Sequence, residues 1–439
     1  MKTSRFVFPL AIVVAATFVM AATFRDAKST AIAAAAPALP LQAGGTSRVE
    51  LSSTVARMTA RLQARPDDAA AVVSLANALI RLQRVNSDGR AVTTADQHLR
   101  TFLEHRPGDY DARRMLAVVL LSEHRFGDAI AEANKTMAID PRDAWNFGAA
   151  GDGYMELGDY DRAFAAFDRM GQLQPGPPAY ARVSYALEIK GDLQGALDYM
   201  RRASAGTSPN DPESQAWHFC QIGELLLQLG RIHEARLEFE RSEATFANHP
   251  LAVIGRARVA IAEGDLAAAR LILQRQLAVT PTTDVAMMIA DLSEALADAP
   301  AAASYAKMAE QIERGTWQSG IRQPQVLARF FAERGVNAAE AVTLAEEAAL
   351  ARRDIFTMDT LAFAYLKAGR LDDARRASGE AQRTGTRDAR VLWHAAELQV
   401  ASGDRVAAMS VLSRIPAVNS IGDVRVRSGV AALQSRLSQ

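Results

Sequence analysis

The seven histidines and the single cysteine of this 439-residue chain form no known catalytic or metal-binding constellation. Cys220 is the single cysteine, so neither an intramolecular disulfide nor a cysteine-based metal cluster can form, and an inert, buried thiol is expected. His98 and His105 could share one face of a helix, but no carboxylate set or HExxH spacing accompanies them. A GxSxG element is also missing from the sequence. The sequence therefore predicts no enzyme, no cofactor and no metal site.

The glycine-rich segment GAAGDGY, residues 148–154, resembles a phosphate-binding loop only in composition. A nucleotide-binding loop of this kind joins a strand to a helix. These glycines instead lie within an apolar pattern of helical spacing that includes Phe147, Gly151 and Tyr154. Small residues at such positions predict close packing between helices.

The elements that could position any functional side chain follow a regular repeat. Pro107, Pro141 and Pro175 are evenly spaced, and a series of glycines keeps a similar interval. The glycines are Gly158, Gly191, Gly230, Gly264, Gly335, Gly369 and Gly403, with Asp298 expected to replace the glycine between Gly264 and Gly335. The residues five positions later are Ala163, Ala196, Ala235, Ala269, Ala303, Glu340, Ala374 and Ala408. Glycine suits the left-handed turn that ends a helix, and alanine permits close helix crossing, so each unit is predicted to be a helix, a tight turn and a second helix.

Within each unit a large residue, an adjacent large and small pair and an aromatic residue precede the turn, and alanine, a large residue and proline follow it. This order resembles the tetratricopeptide repeat (TPR) family over roughly residues 69–414, and the period of the repeat agrees with that family. The resemblance implies an all-α, right-handed superhelical solenoid of about ten helix pairs. Residues 48–64 are predicted to be a leading helix and 422–437 a trailing helix, both covering ends of the stack.

A change of phase after the seventh unit predicts a boundary inside the array. The segment 315–321 contains glycines, and the repeat slips there by three residues. We expect a first part of the array at 48–314 and a second part, with its C-terminal cap, at 322–439. The segment between them is either a bend or a loop insertion.

The first 26 residues are predicted to be an export signal. Lys2 and Arg5 precede an apolar stretch from Phe6 to Ala22, which is typical of a secretory signal. A cleaved signal is favoured over an uncleaved N-terminal membrane anchor, since the apolar stretch is short for a membrane span. Residues 27–47 are then expected to be a disordered linker, and the protein is expected in the periplasm or cell envelope.

The charge balance bears on the class of partner. The chain has 50 basic and 50 acidic residues and no formal net charge. An array that binds nucleic acid should show a basic excess or stripe. Nucleic acid is therefore not expected as a partner.

The resemblance also implies a binding surface, because the first helices of TPR pairs line a concave groove. The positions projected onto this groove are Trp145, Asp152, Arg182, Tyr185, Trp217, Gln221, Glu224, Arg258, Arg322, Arg329, Phe363, Trp393, His394 and Glu397. Exposed aromatic residues among charges are typical of binding hot spots. An alternative is that Trp145 and Trp217 only fill space between helix pairs.

Some TPR proteins grip a C-terminal carboxylate with a lysine, asparagine and arginine set. The corresponding places in this chain hold Arg114, Val118, Gly148 and Asp152, so that clamp is absent. The sequence therefore predicts a non-catalytic scaffold for a protein or peptide of mixed charge, membrane contact only through an uncleaved N-terminal segment, and no particular oligomeric state. The alternative function is binding of a non-protein envelope ligand, such as a polysaccharide stacked on the tryptophans.

Overall fold

The computed structural model describes residues 47–86, 89–318, 322–415 and 421–439. All of these residues belong to one unit, Gly44–Gln439. The predicted signal or anchor at 1–26 lies outside the described residues, as does the predicted linker except for its last residue. That residue, Ser47, is the N-cap of the first helix and accepts a hydrogen bond from the backbone of Glu50.

In the described residues the regular secondary structure is entirely α-helical. A leading helix α1 (Arg48–Ala64) precedes ten helix pairs, and a trailing helix α22 (Val424–Ser438) follows them. The pairs are α2 (Ala69–Asn86) with α3 (Arg90–His105), α4 (Tyr110–Ser122) with α5 (Phe126–Ile139), α6 (Ala144–Leu157) with α7 (Tyr160–Leu173), α8 (Pro177–Ile189) with α9 (Leu193–Gly206), α10 (Pro212–Gln228) with α11 (Ile232–Thr245), α12 (Pro250–Glu263) with α13 (Leu266–Val279), α14 (Thr283–Ala295) with α15 (Ala299–Gln318), α16 (Pro324–Arg334) with α17 (Ala338–Ala351), α18 (Ile355–Lys367) with α19 (Leu371–Ala381), and α20 (Ala389–Ala401) with α21 (Arg405–Leu412). The predicted all-α solenoid of about ten pairs is confirmed.

The turns inside the pairs have the predicted conformation. All seven glycines of the repeat have positive φ, from 66° to 87°. The prediction for Asp298 is wrong by one residue: Ala297 has the positive φ of 58°, and Asp298 instead caps α15 by accepting a hydrogen bond from Ala301 N at 3.2 Å. The turn thus keeps its geometry without a glycine.

The alanine five residues after the turn residue is buried in each unit whose turn lies where the sequence predicts it. The alanines that are fully buried are Ala163, Ala196, Ala235, Ala269, Ala374 and Ala408. Ala303 is exposed, because the turn before it begins one residue early. In the eighth pair the buried small residue is Ala341 and not Glu340. The turn there has one extra residue, Asn337 (φ 49°), which shifts the buried position by one.

Small residues on the first helix of a pair receive large residues from the second. Gly151 of α6 faces the ring of Phe167 of α7, and a Cβ there would lie 2.5 Å from a ring carbon. Gly223 of α10 faces Phe239 of α11 in the same way, at 2.7 Å. The glycines of 148–154 therefore lie inside a helix and serve packing, as predicted.

The segment 315–321 is only partly described. Residues 315–318 continue α15, and 319–321 lie outside the described residues. An open cavity of about 480 Å³ lies at the other end of α15, lined mostly by alanines of α14 and of the first turns of α15, with Glu294 and Arg334. Helix α15 also makes fewer contacts with α16 than most second helices make with the first helix of the next pair.

Residues far apart in the chain, by about six repeats, contact one another within the array. Tyr160 Oη accepts a hydrogen bond from Ile355 N at 2.8 Å, and Arg352 pairs with Glu156 at 2.9 Å. Arg48 donates to the carbonyl of Asn248 at 2.7 Å. One superhelical turn therefore takes about six repeats, and successive turns touch.

Candidate functional site

The first helices of the pairs form the inner side of the array. Several neighbouring first helices contact each other directly, such as α2 with α4 and α16 with α18, whereas the second helices of successive pairs do not approach as closely. Helices that converge lie on the inside of a curved stack. We call the surface made by α2, α4, α6 and the later first helices, through α20, the concave face.

The early part of the concave face is organised around Trp145 of α6. Its ring lies under two guanidinium groups, with 5.4 Å from the ring centroid to Arg114 Cζ and 5.7 Å to Arg182 Cζ. Arg182 also donates two hydrogen bonds, of 2.9 and 2.6 Å, to the carboxylate of Asp152. Three predicted site residues, Trp145, Asp152 and Arg182, are therefore brought together across α6 and α8.

Burial changes the acid–base properties of the carboxylates on this face. Desolvation raises the pKa of Asp152, although Arg182 opposes the effect. Desolvation also raises the pKa of Glu188 to about 7, while Gln228 Nε2 donates to it at 2.7 Å and opposes the shift. A carboxyl group with this pKa changes its charge near neutrality.

The remaining predicted residues of this part are half-buried. Desolvation raises the pKa of Tyr185 well above its ordinary value, and its ring packs on the cluster that contains Ile355 of the next turn. Trp217 packs edge-on against His218, with ring centroids 5.1 Å apart, and Gln221 lies one helical turn farther along α10. The structure thus favours a packing role for Trp217.

An ion cluster occupies the middle of the concave face. Glu224 of α10 pairs with Arg258 of α12 at 2.6 Å. Farther along, Arg390 of α20 pairs with both Glu333 of α16 and Asp423, the N-cap of α22. Although burial opposes it, the positive charges of Arg390 and Arg258 lower the pKa of Asp423 to about 2. This carboxyl group therefore stays charged at all ordinary pH values.

Three predicted groove residues of the second part are core residues instead. Trp393 is 5% exposed, and Phe363 and His394 are each 2% exposed. The ring of His394 stacks on Phe363 at 3.6 Å between centroids, and its Nδ1 lies 2.8 Å from Asp359 Oδ2. The expectation that these side chains are exposed is wrong, because the trailing helix α22 and the neighbouring first helices cover them.

The other predicted residues of the second part are held in ion pairs. Glu397 pairs with Arg436 of α22 at 2.6 Å. Arg329 lies 3.9 Å from Asp284, and Arg322 pairs with Glu347 at 2.5 Å while its guanidinium covers the ring of Trp317. Arg322 is exposed near the junction after α15.

Sequence reasoning missed Glu188, Glu333, Arg390 and Asp423. Glu188 lies on the predicted face of α8, and its position within the repeat was a signal that could have found it. The grouping of Glu333, Arg390 and Asp423 had no such signal, since it depends on how α16, α20 and α22 converge. Arg114 was considered only as a departure from the carboxylate clamp.

The single thiol has the environment of an inert core residue. Cys220 Sγ lies 3.1 Å from Ser242 Oγ and 4.0 Å from His249 Nδ1. Burial raises the pKa of Cys220 to about 12 and lowers that of His249 to about 4. The thiol is therefore protonated at neutral pH, and the imidazole beside it is too weak a base to activate it as a nucleophile.

Two further observations hold for the part of the chain that the structure describes. No group of three or more potential metal ligands was found among those residues. None of their helices is long and apolar enough to cross a membrane.

The family comparison agrees with the helix-pair architecture. The family model for the tetratricopeptide repeat matches residues 88–144 and 220–282. Both segments are runs of helix pairs in the structure, and the same pairing continues through the other described units. The chain is a tetratricopeptide-repeat protein.

Solved structures similar to this TPR protein are found at low sequence identity. The human IFIT1 dimer with m7Gppp-AAAA is 13% identical, with a TM-score of 0.50 over 77% of this chain and 78% of that chain. The APC/C hetero-tetramer Cut9–Hcn1 is 16% identical (TM-score 0.43), and 85% of this chain matches only 56% of the length of that chain. PilW, a type IV pilus biogenesis factor, is 20% identical (TM-score 0.39) over 45% of this chain and 90% of that chain. The search of curated proteins found no match.

These comparisons leave part of the partner prediction untested. TPR proteins support protein interactions as a class, which agrees with the scaffold prediction at that coarse level. The exclusion of nucleic acid as a partner stays a prediction that rests on net charge alone. The comparisons do not support this exclusion, because one similar structure, IFIT1, is described with m7Gppp-AAAA. The absence of catalysis also stays a prediction.

Proposed function

We propose that this protein is a non-catalytic TPR scaffold that is exported to the cell envelope and holds a protein or peptide segment on its concave face. The observation that carries the proposal is the assembly of Trp145, Arg114, Arg182 and Asp152. Aromatic and arginine side chains are enriched at interaction hot spots, and Trp145, Arg182 and Asp152 are only half-buried.

The chemistry of the face indicates the kind of segment it would hold. The half-buried indole of Trp145 offers a small apolar surface beside the two guanidinium groups that lie over its ring, and the adjacent arginines and carboxylates offer charges of both signs. A partner segment with an apolar or aromatic anchor, flanked by acidic and basic side chains, matches this surface. Much of the specificity would come from hydrogen bonds and charge pairs, as is usual in non-obligate interfaces.

A polysaccharide ligand is less well supported than a protein. Sugar stacking requires an accessible aromatic face, and two guanidinium groups already lie over the ring of Trp145. Trp217 is packed against His218. We therefore retain the glycan only as an outcome of the test below.

The envelope location is part of the proposal and rests on the sequence of residues 1–26. The basic start and apolar stretch there are typical of an export signal. Fractionation of cells that express the full chain should place the mature protein in the periplasmic or envelope fraction. Recovery in the cytoplasm with Met1 and the apolar stretch intact would contradict export.

The binding proposal is tested by photo-crosslinking from the concave face. The full chain carries a photoreactive phenylalanine analogue at position 145 or, as the control, at the exposed convex position Leu271, which is 48% exposed. After irradiation in cells, a specific protein adduct is expected from position 145 alone. Arg182→Ala should reduce that adduct at least tenfold, whereas Arg231→Ala, which breaks an arginine–glutamate pair away from the face, should not.

The nature of the adduct decides between the functions. A glycan or RNA adduct at position 145 would replace the protein-scaffold proposal by the corresponding ligand class. Equal protein labelling from positions 145 and 271, or none from either, would overturn concave-face binding.

A further inference from the structure

The trailing helix α22 lies on the concave face and does more than end the stack. It contacts α14 and α20 as well as α21, the helix that precedes it. Val424, Val426, Val430 and Leu433 are buried in the same apolar cluster as residues of α12, α14, α16, α18 and α20. The concave face of the second part therefore already holds an α-helix.

Ion pairs set the register of α22 on this face. At its start, Asp423 pairs with Arg390, and Arg425 pairs with Asp291 at 2.7 Å and with Glu294 at 2.5 Å. Near its end, Arg436 pairs with Glu397 at 2.6 Å. Residues at each end of α22 thus pair with residues of opposite charge on the concave face, and an apolar stripe lies between the two ends. This arrangement fixes the direction of a bound helix as well as its position.

A glycine marks the closest approach of α22 to the face. A Cβ on Gly429 would overlap the buried indole of Trp393. Glycine inside a helix is unfavourable relative to alanine. Close contact with Trp393 accounts for a glycine at this position.

The fit of α22 is nevertheless incomplete. Trp393 Nε1 is buried and makes no hydrogen bond in the described part of the chain. A buried donor without a hydrogen-bond partner costs free energy, because it has lost its hydrogen bond to water and gained none in the protein. A second helix that supplied an acceptor beside the indole would gain that free energy and could displace α22.

We propose that α22 is an internal ligand, and that the concave face of α12 to α20 binds a partner helix of the same chemistry. That helix has a carboxylate at its N-terminus, an arginine two residues later, a valine and leucine stripe, and a small residue where it crosses Trp393. This inference rests on the proposed function, in which the concave face binds a protein segment, and it names the segment as an amphipathic helix. Displacement of α22 frees the face for it.

The test releases α22 in the full chain with one substitution. Gly429→Leu improves helix propensity but cannot fit against Trp393, so α22 should leave the face. Gly379→Leu is the matched control, because Gly379 is an exposed helical glycine with open space around it. Hydrogen exchange of residues 421–439 should accelerate at least tenfold in Gly429→Leu alone, while exchange in α2 to α11 stays unchanged.

A labelled synthetic peptide of residues 421–439 then reports whether the face accepts a helix from outside. Fluorescence anisotropy should show peptide binding to Gly429→Leu at least tenfold tighter than to the wild-type chain or Gly379→Leu. The same peptide with Arg425→Glu should lose this binding, since it places a carboxylate beside Asp291 and Glu294.

Three results would overturn the inference: α22 exchanging as slowly in Gly429→Leu as in the wild type, exchange accelerating throughout the array, or α22 being released without peptide binding. The first two would show that α22 is an integral cap, and the third that the face does not bind a helix in trans. Because the peptide test does not use the crosslinked partner, its failure is distinguishable from failure of the proposed function.

Discussion

Charged side chains on the concave face of this TPR protein are removed from water, and their protonation is coupled to the fold. Glu188 shows this most clearly, because burial raises its pKa to about 7 while the carboxylates of Asp388 and Glu224 oppose its ionisation. Asp388 precedes α20 and belongs to the next superhelical turn. The pKa of Glu188 thus depends on the contact between two superhelical turns.

We expect Glu188 to make the protein less stable as the pH rises from about 4.5 to about 7. The unfolded carboxyl group, with its ordinary pKa of 4.5, loses its proton in this range while the folded one keeps it. The free energy of unfolding therefore falls with rising pH, by up to about 1.4 kcal/mol per pH unit, and the loss is complete above pH 7. Glu188→Gln lacks this loss, so its stability relative to the wild type should increase between pH 4.5 and 7.5 in urea melts.

The control for this substitution is Glu240→Gln, which makes the same change of charge at an exposed position of α11. Its stability difference from the wild type should vary little with pH. If the pH profiles of Glu188→Gln and the wild type run parallel, Glu188 is not protonated at neutral pH in the folded protein.

At the scale of the element, each pair depends on side-chain size where helices cross. Phe239 of α11 is fully buried, and glycines from two different helices, Gly223 of α10 and Gly255 of α12, face its ring. One aromatic ring therefore joins a pair to the pair that follows it. This is the nearest-neighbour packing on which repeat arrays depend.

We expect Gly255→Ala to destabilise the protein by about 1–3 kcal/mol, since the added Cβ would overlap the ring of Phe239. Helix propensity alone would predict that alanine stabilises the protein at this position. Gly379→Ala has open space around it and should stabilise the protein by about 0.5–1 kcal/mol. Thermal or urea unfolding of both variants checks this, and stabilisation by both would mean that α12 does not approach Phe239 as closely as described.

At the scale of the array, contacts between successive turns close the superhelix. Besides the bond from Ile355 N to Tyr160, Arg383 donates to the carbonyl of Gly158 at 2.8 Å. Gly158 also faces the carbonyl of Arg353, which leaves no room for a Cβ. Access to the concave face is thus limited from the sides as well as by α22.

We expect Gly158→Ala to open this contact, whereas Gly264→Ala should not. Both glycines have positive φ, so alanine costs roughly 1–2 kcal/mol of backbone strain at either position. Gly264 has open space around it, but alanine at 158 would also press against the next turn, which adds about 1–3 kcal/mol. Small-angle X-ray scattering should show a larger radius of gyration for Gly158→Ala only, and equal stability and scattering for the two variants would refute the close packing of turns.

The sequence by itself determined the features that arise within one or two neighbouring units. Gly230 predicted a turn and Ala235 a buried crossing, because a helix pair and its neighbour are formed by residues close together in the chain. Patterns within single units also predicted the leading and trailing helices, and they placed Asp152 and Arg182 on a common face.

Only the tertiary structure decided how the turns stack and where α22 lies. Small rotations between consecutive pairs accumulate over about six repeats, and no local pattern in the sequence records their sum. Hence Trp393 occupies the predicted face of its helix but is buried under α22, and Glu188 meets Asp388 from the next superhelical turn. The repeat specifies each step of the solenoid, whereas the contacts between distant steps depend on the curvature that all the steps produce together.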